Sequence, residues 1–237
     1  MNASTGFPAK SPATGRYERK YFLSEVDHLV VLTRIKQHSA LFRSPYPSRW
    51  VNNIYFDDAG HQHYWNHVNG ANSRCKVRIR WYGPLIGPVS KPRLEIKSKH
   101  GELGFKESWP LRGFTVNENL TGQQLIETLQ SSSLPEDLSG CLSFFQPVAV
   151  NRYLRHYFVS GDGQVRLTVD TDLTNLDCLP FFKGFERRAR RQEGIILEFK
   201  YPQASHGQAV RIAQGFPFRI QRISKYVAGL VGWNPGT

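Results

Sequence analysis

The chain is poor in cysteine, in acid and in long apolar runs. Its three cysteines, Cys75, Cys141 and Cys178, are odd in number and far apart, which argues against a disulfide framework and leaves no paired-cysteine zinc motif. They read as reduced, buried thiols. No stretch reaches the length of a membrane span, and the opening Met-Asn-Ala-Ser-Thr-Gly-Phe-Pro lacks the basic and apolar regions of a signal peptide. Export and membrane insertion are therefore unsupported, and a cytoplasmic protein is expected. No Gly-x-x-x-x-Gly-Lys-Ser/Thr occurs, so phosphate binding here cannot rest on a glycine-rich cradle, and no Ser-His-Asp or Cys-His spacing suggests a nucleophile. Acids number 19 against 31 Lys and Arg in 237 residues, a formal charge of +12. Such an imbalance points to an acidic partner: nucleic acid, an anionic membrane or a phosphate-rich molecule.

What the chain does contain is charge at a spacing of two. Glu18/Lys20, Arg78/Arg80, Glu95/Lys97/Lys99, Asp170/Asp172 and Glu198/Lys200 stand two apart, with an apolar or small residue between the charges everywhere except at Arg19. In a strand, residues two apart share a face, so each group lies on one side and the alternating residues on the other. The solvated face of an ordinary sheet accounts for any single group, but it also predicts a mixture of Thr, Ser and Gln outside. Five strands whose polar faces are mostly Arg, Lys, Glu and Asp fit better with a closed antiparallel barrel, charged within and covered outside by helices.

The first fifteen residues, rich in Ala, Ser, Gly and Pro, cannot bury enough apolar surface to order themselves and read as a flexible tail. The remainder, 16–232, reads as one domain. Strands are expected at Arg16 to Leu23, Val51 to Asp57, Cys75 to Tyr82, Arg93 to Lys99, Leu103 to Leu111, Val148 to Val159, Gln164 to Leu173 and Gly194 to Tyr201. A helix capped by Ser24 should run to about His38, others from Thr121 to Leu129, Ser205 to Gln214 and Ser224 to Val231, and a short piece before Phe145. His61, His63 and His67 could be metal ligands, but only the last two share a helical face, and packing is the stronger reading. The basic run from Glu186 to Arg191 reads as a solvated loop.

Arg-Tyr-Glu-Arg-Lys-Tyr, Asn-Asn-Ile-Tyr-Phe-Asp, Lys-Val-Arg-Ile-Arg-Trp-Tyr-Gly, Leu-Glu-Ile-Lys, Val-Arg-Leu-Thr-Val-Asp-Thr-Asp-Leu, Ile-Leu-Glu-Phe-Lys-Tyr and Ile-Ser-Lys-Tyr occur in this order from about Arg16 to Leu230. Together they resemble the VTC domain, the catalytic module of polyphosphate polymerases within the triphosphate tunnel metalloenzymes, also called CYTH-like. The resemblance implies an α+β fold with an antiparallel eight-stranded β-barrel, a basic lining for a triphosphate and acidic residues holding Mn or Mg. Residue by residue, it points to Lys20, Arg78, Arg80, Lys97, Lys106 and Arg152 as phosphate ligands, to Glu198 as the metal carboxylate, and to Ser224 and Lys225 near the tunnel end. Lys99 and Lys200 join the substrate-binding face, and Asp170 and Asp172 are the further candidates for the metal.

Two departures stand out. Hydrolytic relatives usually carry Glu-x-Glu-x-Lys on the first strand, where this chain has Arg16, Glu18 and Lys20. In fungal polymerases a Tyr stands two residues before the arginine matched by Arg152, where this chain has Val150. Regulatory and membrane-spanning modules of the fungal complexes are absent from the sequence. The expected activity is metal-dependent transfer of the terminal phosphate of ATP onto inorganic polyphosphate, with no specific nucleic acid as partner; the sequence does not indicate an oligomeric state. A tripolyphosphatase or nucleoside triphosphatase of the same fold is one alternative. A non-catalytic polyanion or RNA binder is another; it would need aromatics among the surface basics as a stacking platform, whereas most aromatics here sit on the apolar alternation.

Overall fold

A computed structural model describes residues 16–24, 26–100, 103–177, 189–218 and 224–230; the tail, Cys178 and most of the basic run before Arg191 lie outside them. The element order is β1 (Arg16–Leu23), α1 (His28–Lys36), β2 (Arg49–Asp57), α2 (Gln62–Val68), β3 (Ser73–Tyr82), β4 (Gly87–Val89), β5 (Arg93–His100), β6 (Leu103–Pro110), β7 (Phe114–Val116), α3 (Gly122–Gln130), α4 (Glu136–Leu142), β8 (Gln146–Val159), β9 (Arg166–Asp177), β10 (Ala189–Arg191), β11 (Ile195–Pro202), α5 (His206–Gln214) and α6 (Lys225–Leu230).

Eight strands pair antiparallel in the order β1-β11-β9-β8-β2-β3-β5-β6, with β10 added beside β9, and β4 pairs with β7 apart from them. The sheet curls into a half-barrel. Among the described residues its edge strands β1 and β6 share no ladder, yet Lys97 on β5 donates to both carboxylate oxygens of Glu18 on β1, at 2.9 and 3.1 Å. A contact between the first and seventh strands of the order is possible only because the sheet closes over its charged face.

The alternation separates two environments. Outside, Ile54, Phe56, Val77, Ile79, Leu94 and Ile96 pack with α3 and α4 through Leu125, Leu129 and Leu138. On the other side of the seam Tyr21, Leu167, Val169, Leu197 and Phe199 meet Val31 and Ile35 of α1 and Ile212 of α5. The helices thus cover the apolar face and leave the charged face inside. Their ends differ slightly from expectation. Helix α1 is capped by Asp27, whose carboxylate accepts from Leu29 N at 2.6 Å, and not by Ser24. Thr121 and Gln124 form a capping box on α3.

The histidine segment packs against the fold. His61 precedes α2 with a left-handed φ of +51°, the His63 ring stacks on Phe145 with centroids 5.3 Å apart, and among the described residues no cluster of His, Cys, Asp and Glu could hold a metal. Cys75 is buried and Cys141 half-buried, both as free thiols; burial pushes the Cys75 thiol up to about 12.

Candidate active site

Strands β3, β5 and β6 carry one group of the inner charges. Register sets Arg78 opposite Glu95 and Lys97 opposite Lys106. Glu95 is buried and accepts from Arg78 Nη2 at 2.6 Å and Nε at 3.0 Å, and from Lys106 Nζ at 2.7 Å, with Arg80 Nη1 3.4 Å away. Burial opposes ionisation of Glu95, but Arg78, Arg80 and Lys106 outweigh it and hold the carboxyl far below its usual range. Arg80 also donates to Asn53 Oδ1 at 2.8 Å and to Tyr153 Oη at 3.0 Å. Two guanidinium groups are thereby held in fixed orientations toward the interior.

Strands β1, β11 and β9 carry a different pattern. Lys20 lies opposite Glu198, and Glu18 opposite Lys200. Lys20 Nζ stands 3.4 Å from Glu18 and 3.7 Å from Glu198, while Lys200 Nζ is 2.8 Å from Glu198 and 3.5 Å from Glu18. Two carboxylates therefore share two lysines. Glu198 is buried, which favours its neutral form, but Lys20, Lys200, Arg155 and Lys225 hold it well below its ordinary range.

A third group joins β8, β9 and the C-terminal helix. Asp170, almost fully buried, accepts from Arg155 Nε and Nη2 at 2.6 and 2.7 Å and pairs with Lys225 Nζ at 2.5 Å. Despite its burial these two cations bring its pKa down to about 2. Lys225 opens α6, and Asn151 donates to its backbone carbonyl at 3.3 Å. The next residue, Tyr226, is buried and donates its hydroxyl to Asp57. Asp57 also accepts from the backbone N–H groups of His63 and Tyr64 at the start of α2. Helix α6 is thus anchored over the charged face, with Ser224 3.0 Å from Lys76 Nζ.

Lys20, Arg78, Arg80, Lys97, Lys106, Lys200, Glu198, Asp170, Ser224 and Lys225 come together on this inner side, and Lys99 shares its face through the register with Arg74 and Gly104. Two expected residues do not. Arg152 lies on the outer face, opposite Asn52, with its guanidinium carbon 3.8 Å from the centroid of the Trp50 ring. Asp172 separates from Asp170: its φ is +51°, and it accepts from Arg191 Nη2 at 2.8 Å. The β8/β9 ladder slips between Arg152 and Leu154; the bulge puts an extra residue into β9, breaks the rule of two there and parts Asp172 from Asp170. On β8 the alternation runs on unbroken, with Asn151, Tyr153 and Arg155 opposite Asn53, Val51 and Arg49 of β2, so the inward arginine is Arg155, Tyr153 stands two residues before it, and Arg152 falls on the other face. The tyrosine missing at Val150 is therefore supplied by Tyr153, three positions later.

Lys76 was also missed, although it lies two residues before Arg78 on the same face. Burial and the nearby Lys20, Lys97, Arg78 and Arg74 charges bring its pKa down to about 7.

A family model described as the VTC domain matches residues 15–233. The chain belongs to the VTC domain family. Among solved structures the VTC chain resembles a protein from Vibrio parahaemolyticus provisionally named an adenylate cyclase, at 14% identity and a TM-score of 0.50, covering 90% of this chain and 97% of that one. A Bacillus halodurans protein, also provisionally named an adenylate cyclase, gives 15% identity and a TM-score of 0.51 over 87% of this chain and 92% of that one. At such identities the likeness concerns the fold alone. No curated protein matches the chain.

Proposed function

We propose that this VTC domain transfers the terminal phosphoryl group of ATP to the end of an inorganic polyphosphate chain with the help of Mn or Mg. The observation that carries this reading is the pair Glu18 and Glu198 facing a wall of inward Arg and Lys. Magnesium-like ions are usually held by one or two carboxylates plus phosphate oxygens. Glu198 and Glu18 fit that donor set, whereas Asp170 is already committed to Arg155 and Lys225 and Asp172 faces Arg191. A divalent ion held by these two carboxylates would supply charge neutralisation to bound phosphate.

The protein's own residues supply position and electrostatics. Arg78 and Arg80, fixed by Glu95 and Asn53, would grip phosphate oxygens in fork geometry. Lys20, Lys97, Lys106 and Lys200, on flexible stems, would move from their present carboxylates to the phosphates. Lys225 and Arg155, locked on Asp170, would define the far wall. A terminal oxygen of the acceptor polyphosphate attacks the γ-phosphorus, the bond from that phosphorus to the bridging oxygen breaks, and ADP leaves with the electron pair. No protein nucleophile is needed, because such a transition state chiefly demands charge stabilisation.

Incubating the protein with ATP and Mn or Mg and resolving the products by chain length tests the proposal. Phosphate chains longer than three are expected. Orthophosphate alone would assign the same site to hydrolysis, and no product with either metal would leave a binding module.

A further inference from the structure

Beyond the phosphate-binding interior, the inner face ends in aromatic residues. Tyr82 follows Arg80 by two on β3, Tyr157 follows Arg155 by two on β8, and Arg49 begins β2 beside them, opposite Arg155. The Arg49 guanidinium carbon lies 4.8 Å from the Tyr82 ring centroid, 4.9 Å from that of Tyr157 and 5.6 Å from that of Tyr46. Tyr46 and Tyr157 meet edge to face with centroids 5.9 Å apart, and Ser44 ties the Tyr46 loop to β8 by donating to the Tyr157 carbonyl at 3.1 Å. Although the cluster is built and held, Tyr46 remains 57% and Tyr82 47% exposed. Among the described residues no carboxylate pairs with Arg49.

We propose that this cluster is a nucleobase platform, taking the base of the nucleoside triphosphate whose phosphates enter the tunnel. The inference rests on the triphosphate-binding reading of the interior and adds the part of the substrate that reading leaves unplaced. Two residues along a strand span about 6.6 Å, so Tyr82 and Tyr157 stand about one phosphate-to-sugar step beyond Arg80 and Arg155. A base has a π-face that stacks on tyrosine, and a cation held among the rings adds to the attraction. At the other end α6 lies over the charged face, with Lys225 tied to Asp170 and Tyr226 to Asp57. One arginine among three tyrosines is a seat for one base, not a track along an RNA strand.

The test compares ATP with methyl triphosphate, which has the same charge and no base, by calorimetric titration of wild type, Tyr82→Ala and Tyr46→Ala. Wild type should bind ATP about tenfold tighter than methyl triphosphate. In Tyr82→Ala the ratio should fall toward one, with methyl triphosphate affinity unchanged, which also shows that the variant is folded; Tyr46→Ala should lower the ratio less. A wild-type ratio of one, or a ratio that neither substitution alters, overturns the platform while leaving the tunnel reading intact. Binding of neither ligand overturns both. A short oligoadenylate that binds as tightly as ATP and loses as much in Tyr82→Ala would give the platform to single-stranded RNA and also overturn the proposal.

Discussion

On β3, β5 and β6 one buried carboxylate, Glu95, is met by Arg78, Arg80 and Lys106, whereas on β1, β11 and β9 Glu18, Glu198 and Asp170 are interleaved with Lys20, Lys200, Arg155 and Lys225. The first wall keeps an excess of cation, to which Lys76 adds. The second is close to balanced and holds its carboxylates ionised. One ring of strands thus presents two surfaces, the first suited to phosphate oxygens and the second able to hold a divalent ion as well. Lys97 spans them, springing from β5 and pairing with Glu18 on β1.

Glu198→Gln should break this division most severely. The amide keeps the shape and removes the charge, so phosphoryl transfer should fall by roughly 10²-fold or more while tripolyphosphate binding survives. An assay showing unchanged turnover would remove the second wall from the chemistry.

Lys76 sharpens the excess on the first wall. Its pKa is about 7 in the folded protein against an ordinary 10.5, because burial and neighbouring cations disfavour its proton. Between those values the unfolded chain holds a proton that the native one has lost, so this lysine's contribution makes stability rise with pH through that window. A bound polyanion should return the proton. Titrations with tripolyphosphate at pH 8 in buffers of different ionisation enthalpy should show net proton uptake in wild type and less in Lys76→Met. Heats independent of buffer would contradict this.

Much of this division was legible in the sequence where alternation holds. On β1, β3, β5 and β11 the spacing of two placed Glu18, Lys20, Arg78, Arg80, Glu95, Lys97, Glu198 and Lys200 on the correct face, and Lys76 could have been found by stepping back two residues. On β9 the rule fails at the bulge, and nothing in Val-Asp-Thr-Asp-Leu shows that an extra residue stands there, so Asp172 parts from Asp170. On β8 the alternation holds; Arg152 comes from the family resemblance, and the structure turns Arg155 inward instead. Tertiary contact decided the rest. The Asp57–Tyr226 hydrogen bond that anchors α6 joins residues far apart in the chain, and periodicity carries no trace of it; Ser224 and Lys225 were reached through the family resemblance alone.

The smallest expected effect lies outside the tunnel. Arg152→Ala removes an outer-face cation–π contact with Trp50 and should cost about 0.5–1 kcal/mol, seen as a small shift in the denaturation midpoint. A loss of several kcal/mol would mean that Arg152 does more than stack.

The most direct measurement of the central claim, that the inner charged face binds triphosphate, is a calorimetric titration of tripolyphosphate into wild type, Arg155→Ala and Arg152→Ala. Arg155→Ala breaks a buried pair and should destabilise the fold by about 3 kcal/mol, so the titration is run well below its melting temperature. Wild type should bind one tripolyphosphate, Arg155→Ala about tenfold or more weakly, and Arg152→Ala within about twofold of wild type. If Arg152→Ala loses binding and Arg155→Ala keeps it, the anion does not sit on the inner face and the account is contradicted.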